Sequence, residues 1–185
     1  MSPASPKAGE NLTQRAKRIQ LLLMDVDGTL SRGVCLLSQP GGTALELKVF
    51  HPHDGAGLAL AFLAGIRTGV ITGRESAALE VRAREMHLEF VYEKQARKLP
   101  AYEEILQRVG LADRAVAYVG DDLPDLPVMR RVGLAVAVND AAPEVKRVAH
   151  YVTRARGGEG AVREALELIL KAQGKWRELV GRARA

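Results

Sequence analysis

The amino-acid sequence predicts an α/β fold, a doubly wound parallel sheet covered by helices on both faces. Short apolar runs of strand length alternate with longer segments of helical period along most of the chain. Parallel neighbouring strands need crossover connections, which the intervening helices would supply. The 185 residues, 47% of them hydrophobic, suffice for one full core but are few for two. We therefore expect a disordered leader at residues 1–11, a single domain at 12–174 and a C-terminal tail at 175–185.

The elements follow in chain order. Apolar runs predict strands at residues 20–24, 68–71, 90–92, 115–119 and 134–138. Helical periodicity predicts helices at residues 57–63, 76–86, 99–109, 125–132, 143–148 and 161–172. Gln173-Gly174-Lys175 then ends the pattern and leaves a polar tail. Its Trp176 should pack against the chain's own body or a neighbouring subunit.

One segment breaks the alternation of strands and helices. Residues 34–37 and 44–50 are both strand-like, and they flank the turn sequence Gln39-Pro40-Gly41-Gly42. Two such runs around a Pro-Gly-Gly turn predict a β-hairpin. It would protrude as a flap just after the first strand of the sheet.

The distribution of charge and cysteine excludes several classes of function. The net charge is +5, but residues 1–20 contribute +3 and residues 171–185 contribute +4, so the middle of the chain is slightly acidic. A nucleic-acid partner is therefore not expected. No apolar run is long enough to span a membrane, and the lone Cys35 cannot form an internal disulfide. We expect a cytoplasmic protein with no membrane partner.

Acidic side chains follow two of the predicted strands at their carboxyl ends. Asp25 and Asp27 come after the first strand, and Asp121, Asp122 and Asp125 come after the fourth. Ligands of open α/β sheets bind beyond this edge. Carboxylates gathered there would repel one another unless a cation lay among them, and an all-oxygen ligand set favours Mg²⁺. The alternative is that the second group caps the following helix, which leaves Asp25 and Asp27 unexplained.

The pair Asp25 and Asp27 suits phosphoester hydrolysis. Two residues apart on an extended segment, their side chains project to the same side. One carboxylate can attack phosphorus and form an acyl phosphate, while the other gives and then takes a proton. Gly28 would let the backbone turn tightly beside the phosphate.

Four segments in order resemble the motifs of the haloacid dehalogenase superfamily. They are Asp25-Val26-Asp27-Gly28-Thr29-Leu30, Thr72, Lys98, and Gly120-Asp121-Asp122 with Asp125. The resemblance implies the Rossmann-like fold of that superfamily. It also implies that Asp25 is the nucleophile and Asp27 the acid/base.

The same resemblance implies a set of metal ligands. Mg²⁺ would be held by Asp25, the main-chain carbonyl of Asp27, and Asp121. Asp122 and Asp125 would instead orient Asp121, Lys98 or metal-bound water.

The resemblance also implies which residues hold the phosphoryl group. Thr72 and the Gly73 amide would hold phosphoryl oxygens, and Lys98 would neutralise the charge that develops on them. Lys94 is a nearby competitor for the role of Lys98. Arg74 would bind a substrate carboxylate or make a structural ion pair, and both interpretations stay open.

Longer strings resemble the capless branch of the superfamily, typified by 3-deoxy-D-manno-octulosonate 8-phosphate phosphatase. They include Asp54-Gly55, the stretch 117–123, the Gly-rich stretch 157–164 and Gln173-Gly174-Lys175. The hairpin and one helix fill the segment between motifs one and two, so a large cap domain does not fit. The resemblance implies Mg²⁺, a small phosphorylated sugar acid as substrate, and a homotetramer whose hairpins pack together. Candidate substrate-binding residues are Gly28, Gly73, Arg74, Asp54 and Gly55.

Three segments depart from the usual pattern of that branch. They are Ser31-Arg32-Gly33, His51-Pro52-His53 and Ala96-Arg97. These departures leave alternative substrates open, namely another sugar-acid phosphate such as a nonulosonate 9-phosphate, or a broader set of metabolites. A phosphotransferase and an inactive regulatory subunit are the alternatives from other functional classes.

Overall fold

The strands of this computed structural model form one six-stranded parallel sheet and one hairpin. The structure describes residues 10–38, 41 and 44–182. Its strands are β1 (Leu21–Met24), β2 (Ser31–Ser38), β3 (Ala44–Phe50), β4 (Arg67–Ile71), β5 (Phe90–Tyr92), β6 (Val116–Gly120), β7 (Leu134–Ala137) and β8 (Tyr151–Val152). The main sheet has the order β5-β4-β1-β6-β7-β8, and all its neighbours are parallel. The predicted fold class is confirmed.

Helices flank the sheet and enclose its central strands. They are α1 (Leu12–Lys17), α2 (Pro52–Leu63), α3 (Ala77–Glu85), α4 (Lys98–Val109), α5 (Leu126–Met129), α6 (Pro143–Val148), α7 (Ala161–Ala172) and α8 (Trp176–Arg182). Every residue of β1, β6 and β7 is buried, as expected for a parallel sheet covered on both faces. In the part of the chain that the structure describes, no helix has the length and apolar character that a membrane span requires.

In the main sheet, the predicted strands agree with the observed ones to within one residue, but β8 was missed. This strand has only two residues, too few to show a periodicity, and its pairing with β7 defines it. In the hairpin, β2 begins at Ser31, three residues before the predicted start. Helix α2 begins at Pro52 rather than at residue 57, with His51 as its N-cap. The prediction was wrong because Gly55 and Gly57 weaken the helical pattern, whereas packing favours them. A Cβ on Gly57 would lie 2.9 Å from the Cδ of Arg163 on α7.

The segment predicted as a polar tail contains helix α8. Leu179 is 5% exposed, and it lies within the hydrophobic core. Trp176 packs against the chain's own body, where the guanidinium of Arg163 lies 4.9 Å from the centre of its ring. One apolar side chain per turn was too weak a signal to predict this helix, so docking on α7 accounts for it.

Strands β2 and β3 form an antiparallel pair outside the main sheet. Of the predicted turn at residues 39–42, all but Gly41 lie outside the described residues, as do residues 1–9 of the predicted leader. Along β3, Leu45, Leu47 and Val49 are exposed, while the alternating side chains of Glu46 and Lys48 are only 23% and 1% exposed. The hairpin therefore has one apolar face toward solvent and one charged face toward the body.

Candidate active site

The candidate site lies where three neighbouring strands end. Asp25 follows β1, Thr72 follows β4 and Asp121 follows β6, and β1 pairs with both other strands. After β1 the chain adds β4 and β5 on one side of it and then β6, β7 and β8 on the other, so the strand order reverses at β1. This is the switch point of the sheet. A cavity of about 290 Å³ opens there. It is lined by Asp25, Asp27, Thr72, Gly73, Arg74, Gln95, Ala96, Lys98, Asp121, Asp122, Pro124 and Asp125.

Three carboxylates from two strand ends converge in this cavity. Single oxygens of Asp25, Asp121 and Asp125 lie within 4.8 Å of one another. The carboxylate of Asp125 is already occupied, because Oδ1 accepts hydrogen bonds from Lys98 (2.7 Å) and Tyr118 (2.8 Å). Its Oδ2 accepts from the main-chain N–H of Asp121 at 2.9 Å. Asp25 and Asp121 therefore remain as the carboxylates able to bind a metal ion.

Asp122 and Asp125 do cap the turn that follows β6. The Asp122 side chain accepts from the main-chain N–H of Asp125, and the Asp125 side chain accepts from the main-chain N–H of Asp122 at 3.2 Å. Capping thus accounts for these two acids. It leaves Asp121, whose carboxylate accepts a hydrogen bond from the Thr29 hydroxyl at 3.0 Å instead.

The electrostatics of the remaining pair fit a divalent cation. Burial raises the pKa of Asp121 to about 7, and the neighbouring charges of Asp25 and Asp125 add to this effect. Burial also raises the pKa of Asp25, and the charge of Lys98 offsets only part of it. Buried carboxylates that repel one another are stabilised when a cation binds among them. A hard ion such as Mg²⁺ matches this set of oxygen donors.

Lys98 is a buried cation that pairs with two of these carboxylates. Its Nζ lies 2.5 Å from Oδ1 of Asp25 and 2.7 Å from Oδ1 of Asp125, and its side chain is 5% exposed. Burial lowers the pKa of Lys98, but the charges of Asp125 and Asp25 outweigh burial and raise it overall. Lys94, the competitor, is 65% exposed and pairs with Glu75. Geometry therefore favours Lys98 over Lys94.

Asp27 lies beside Asp25 in the same loop and meets a residue that sequence reasoning missed. Its Oδ1 lies 2.5 Å from Nζ of Lys48 on β3 and accepts from the Ser31 hydroxyl at 3.1 Å. The signal for Lys48 was available, since strand alternation places it on the face opposite Leu47. What the alternation does not show is which part of the body that face meets.

Position 28 has no room for a side chain, because Asp121 occupies the space where a Cβ would lie. Its φ is +96°, a conformation that favours glycine, and a Cβ there would lie 2.2 Å from Oδ2 of Asp121. A Cβ on Gly157 would in turn lie 1.7 Å from the Gly28 carbonyl oxygen. The Gly-rich loop before α7 therefore packs directly on the loop that carries Asp25.

Thr72, Gly73 and Arg74 line the side of the cavity next to β4. Thr72 is 3% exposed, and its hydroxyl oxygen accepts weakly from the Arg74 N–H at 3.4 Å. The Arg74 side chain is 47% exposed, and its Nε lies 3.8 Å from Oδ2 of Asp27. Arg74 is thus placed at the mouth of the cavity, and it is within ion-pair distance of Asp27.

Asp54 and Gly55 are not brought to the cavity. Asp54 is 1% exposed, and its two oxygens accept from the main-chain N–H groups of Arg163 (2.7 Å) and Gly160 (3.1 Å). Burial raises the pKa of Asp54, and these two N–H donors oppose that rise. Asp54 therefore fastens α2 to the first turn of α7. Gly55 faces α3 instead, where a Cβ would lie 2.5 Å from Nη2 at the end of the Arg82 side chain.

Asp121→Asn should separate stability from metal binding. The ordinary pKa of this carboxyl is 3.8 and its folded value is about 7, so the ionised form opposes folding. Metal-free protein should therefore lose stability as pH rises through this window, and the variant should lose less. Above pH 7 its Tm should exceed that of the wild type by about 2–4 °C for each kcal/mol of relieved repulsion.

The measurement is a set of thermal melts with a chelator and with Mg²⁺, at pH 5 and pH 8. Mg²⁺ should raise the Tm of the wild type but not that of the variant, since a ligand stabilises only the state that binds it. Glu144→Gln, which removes an exposed carboxylate paired with Arg147, is the control. Equal stabilisation of Asp121→Asn and wild type by Mg²⁺ would contradict the assignment.

Comparisons with known proteins identify the family of this chain. The sequence profile of the haloacid dehalogenase-like hydrolases matches residues 71–166. The chain is 44% identical over 169 residues to 3-deoxy-D-manno-octulosonate 8-phosphate phosphatase of Escherichia coli K12, which covers 91% of this chain and 88% of the relative.

Solved structures show the same similarity. The phosphatase of that name from Yersinia pestis superposes with a TM-score of 0.85 at 46% identity, covering 90% of this chain and 88% of that one. The phosphatase of that name from Moraxella catarrhalis was solved with magnesium, phosphate and KDO. It superposes with a TM-score of 0.87 at 39% identity, and the match covers 92% of this chain and 97% of that one. Since the similarity extends over most of both chains, this protein belongs to the haloacid dehalogenase-like hydrolase family.

Proposed function

We propose that this chain is a magnesium-dependent phosphomonoester hydrolase that converts 3-deoxy-D-manno-octulosonate 8-phosphate to the free sugar acid and phosphate. The observation that carries the proposal is the placement of Asp25, held by Lys98 at 2.5 Å, against Asp121 at the switch point of the sheet. The substrate is taken from the phosphatases of that name, to which the chain is 44–46% identical.

The proposed reaction has two steps. A carboxylate oxygen of Asp25 attacks phosphorus and forms an aspartyl phosphate, while the bond from phosphorus to the sugar oxygen breaks and Asp27 protonates that oxygen. Water then attacks the same phosphorus, Asp27 takes its proton, and the Asp25 carboxylate is released. The single pair of carboxylates thus performs both steps and returns to its starting state.

The other residues stabilise charge on the phosphoryl group. We assign the Thr72 hydroxyl and the Gly73 N–H as donors to its oxygens, and Lys98 as the cation beside them. Asp25, the Asp27 carbonyl and Asp121 would hold Mg²⁺, which when bound neutralises phosphoryl charge. These placements agree with the cavity lining.

One departure from the usual pattern of the capless branch lies in the cavity itself. Ala96 lines it, whereas Arg32 points outward and pairs with Glu159, and His51 caps α2. A changed lining residue supports a second candidate substrate, a nonulosonate 9-phosphate, because the sugar would lie against it. Arg74 at the cavity mouth is our candidate for binding the carboxylate that both sugar acids share.

A substrate panel tests the proposal. Purified protein with Mg²⁺ is assayed on the octulosonate 8-phosphate, a nonulosonate 9-phosphate and glucose 6-phosphate. We expect the highest kcat/KM for the octulosonate, by about 10-fold or more, because a matched polar contact discriminates at that level. A preference for the nonulosonate would replace the substrate, and no turnover of any would refute the function.

We further propose that the enzyme is a homotetramer in which the hairpins of four chains pack together. Leu37, Leu45, Leu47 and Val49 are 44–62% exposed on this small hairpin. Such a concentration of exposed apolar side chains is typical of a protein interface. The cytoplasm stays the predicted compartment.

Leu47→Asp should break this assembly. A charge in the middle of the apolar face would be buried without a partner, so we expect a smaller species in light scattering coupled to size-exclusion chromatography. Leu63→Asp at the C-terminal end of α2, where the residue is 64% exposed, is the matched control and should keep the wild-type mass. A tetramer that survives Leu47→Asp would disprove this interface.

A further inference from the structure

Lys48 is a charged residue on the hairpin, yet its side chain is buried. It lies on β3 between the exposed Leu47 and Val49, and only 1% of its side chain is exposed. Its Nζ lies 2.5 Å from Oδ1 of Asp27. Removing an ammonium from water carries a large cost that only a close partner offsets. The hairpin therefore delivers a cation to the proposed acid/base.

The position of Lys48 is fixed by contacts between the hairpin and the body. Glu46, two residues earlier on the same face of β3, lies 3.8 Å from the Lys48 ammonium. The Glu46 carboxylate accepts a hydrogen bond from the hydroxyl of Ser76. Ser76 is the N-cap of α3, where its hydroxyl oxygen accepts from the Leu79 N–H at 3.2 Å. Lys48 is thus held between a carboxylate anchored to α3 and the carboxylate of Asp27.

The two carboxylate oxygens of Asp27 differ in their hydrogen-bond partners. Oδ1 contacts Lys48 and the Ser31 hydroxyl. Oδ2 is buried and has no hydrogen-bond donor among residues 10–38, 41 and 44–182, and Nε of Arg74 lies 3.8 Å from it. A carboxylate with one oxygen engaged by a cation has a fixed orientation, and its second oxygen is left to exchange a proton.

We propose that Lys48 is a positioning residue, which holds Asp27 by Oδ1 so that Oδ2 carries the proton to the leaving group. This inference rests on the proposed function. Lys48 acts through Asp27 and touches neither phosphorus nor metal. Its removal should therefore slow the steps that need proton transfer and leave the others nearly unchanged.

Leaving-group chemistry separates this role from others. The octulosonate 8-phosphate and glucose 6-phosphate both release an alkoxide that needs a proton, whereas p-nitrophenyl phosphate releases a stable phenolate. For Lys48→Met we expect kcat/KM to fall about 100-fold or more on both sugar phosphates, as general acid catalysis contributes at that level. On p-nitrophenyl phosphate it should fall less than about threefold, because that phenolate leaves without general acid catalysis.

Three variants complete the design. Asp27→Asn should show the same leaving-group dependence as Lys48→Met, and Lys48→Arg should restore most of the rate on the sugar phosphates. Lys94→Met, which removes an exposed lysine paired with Glu75, should leave all three substrates unaffected. Thermal melting establishes that each variant is folded, and Lys48→Gln replaces Lys48→Met if the latter is not.

The other outcomes overturn the inference. An equal loss on all three substrates would make Lys48 a structural residue. A loss confined to the octulosonate would make it a ligand of the substrate carboxylate. If the wild type hydrolyses none of the three, the proposed function itself fails, whereas an Asp27→Asn pattern not shared by Lys48→Met refutes only the role of Lys48.

Discussion

Asp25→Asn is expected to lower kcat/KM on the sugar-acid phosphate by about 10⁴-fold or more, as the loss of a covalent nucleophile does in other hydrolases. The neutral amide cannot attack phosphorus. Its shape is nearly that of the carboxylate, so the cavity and its other contacts should persist. Because burial raises the pKa of Asp25, replacing the ionised form at neutral pH removes an unfavourable charge. The variant should therefore be folded and inactive.

The measurement is steady-state hydrolysis together with acid quenching of enzyme mixed with ³²P-labelled substrate. Wild-type protein should retain label that is stable in acid and released by hydroxylamine, as an acyl phosphate is. Asp25→Asn should retain none, while Glu144→Gln, which removes an exposed carboxylate that is not among the cavity-lining residues, should label normally. Labelling of the variant at the wild-type level would exclude Asp25 as the nucleophile.

Lys98→Met is expected to have the second largest effect, and it should reduce both activity and stability. The ammonium lies between the buried carboxylates of Asp25 and Asp125, and removing it leaves two acids without their cation. Breaking a buried ion pair in this way costs about 3–5 kcal/mol. The rate should fall about 10²-fold to 10³-fold at a temperature where the variant is folded, since a charge-stabilising donor is lost.

The two effects of Lys98→Met are measured by urea unfolding and by kcat at saturating substrate. Lys94→Met is the matched control, because that lysine is exposed and near in sequence. Lys98→Arg keeps the charge and should recover stability more than rate, since a planar guanidinium cannot place one nitrogen between both acids as the ammonium does. A Lys98→Met protein with wild-type kcat would show that the ion pair is structural only.

Several features of the site could be read from local sequence. An apolar run long enough for a buried strand ends where the first polar residue appears, so Asp25, Thr72 and Asp121 were assigned to strand ends directly. Parallel strands carry their carboxyl ends to one edge, and the convergence of these residues follows from topology. This is why the fold class and the acid cluster were predicted together.

Other features depended on contacts between segments distant in the chain. The Asp54-Gly55 pair predicts a substrate-binding residue by its resemblance to the capless branch. In the structure Asp54 instead caps α7, more than one hundred residues away in the chain. The sequence does not reveal that Lys48 pairs with Asp27, because the contact between β3 and the Asp27 loop depends on how the hairpin folds back. Helix α8 depended on docking of Trp176 and Leu179, which no periodicity of its own revealed.

The sequence by itself determined the alternation of the main strands and helices, the edge of the sheet where chemistry occurs, and the identity of the residues that follow those strands. The tertiary structure alone decided which oxygen of each carboxylate is engaged, which lysine side chains are buried, and which acid fastens one helix to another. The physical reason is one of range. A buried strand or helix shows itself in the periodic spacing of apolar residues that are neighbours in the sequence. The pairing of buried charges depends instead on distances between segments far apart in the chain.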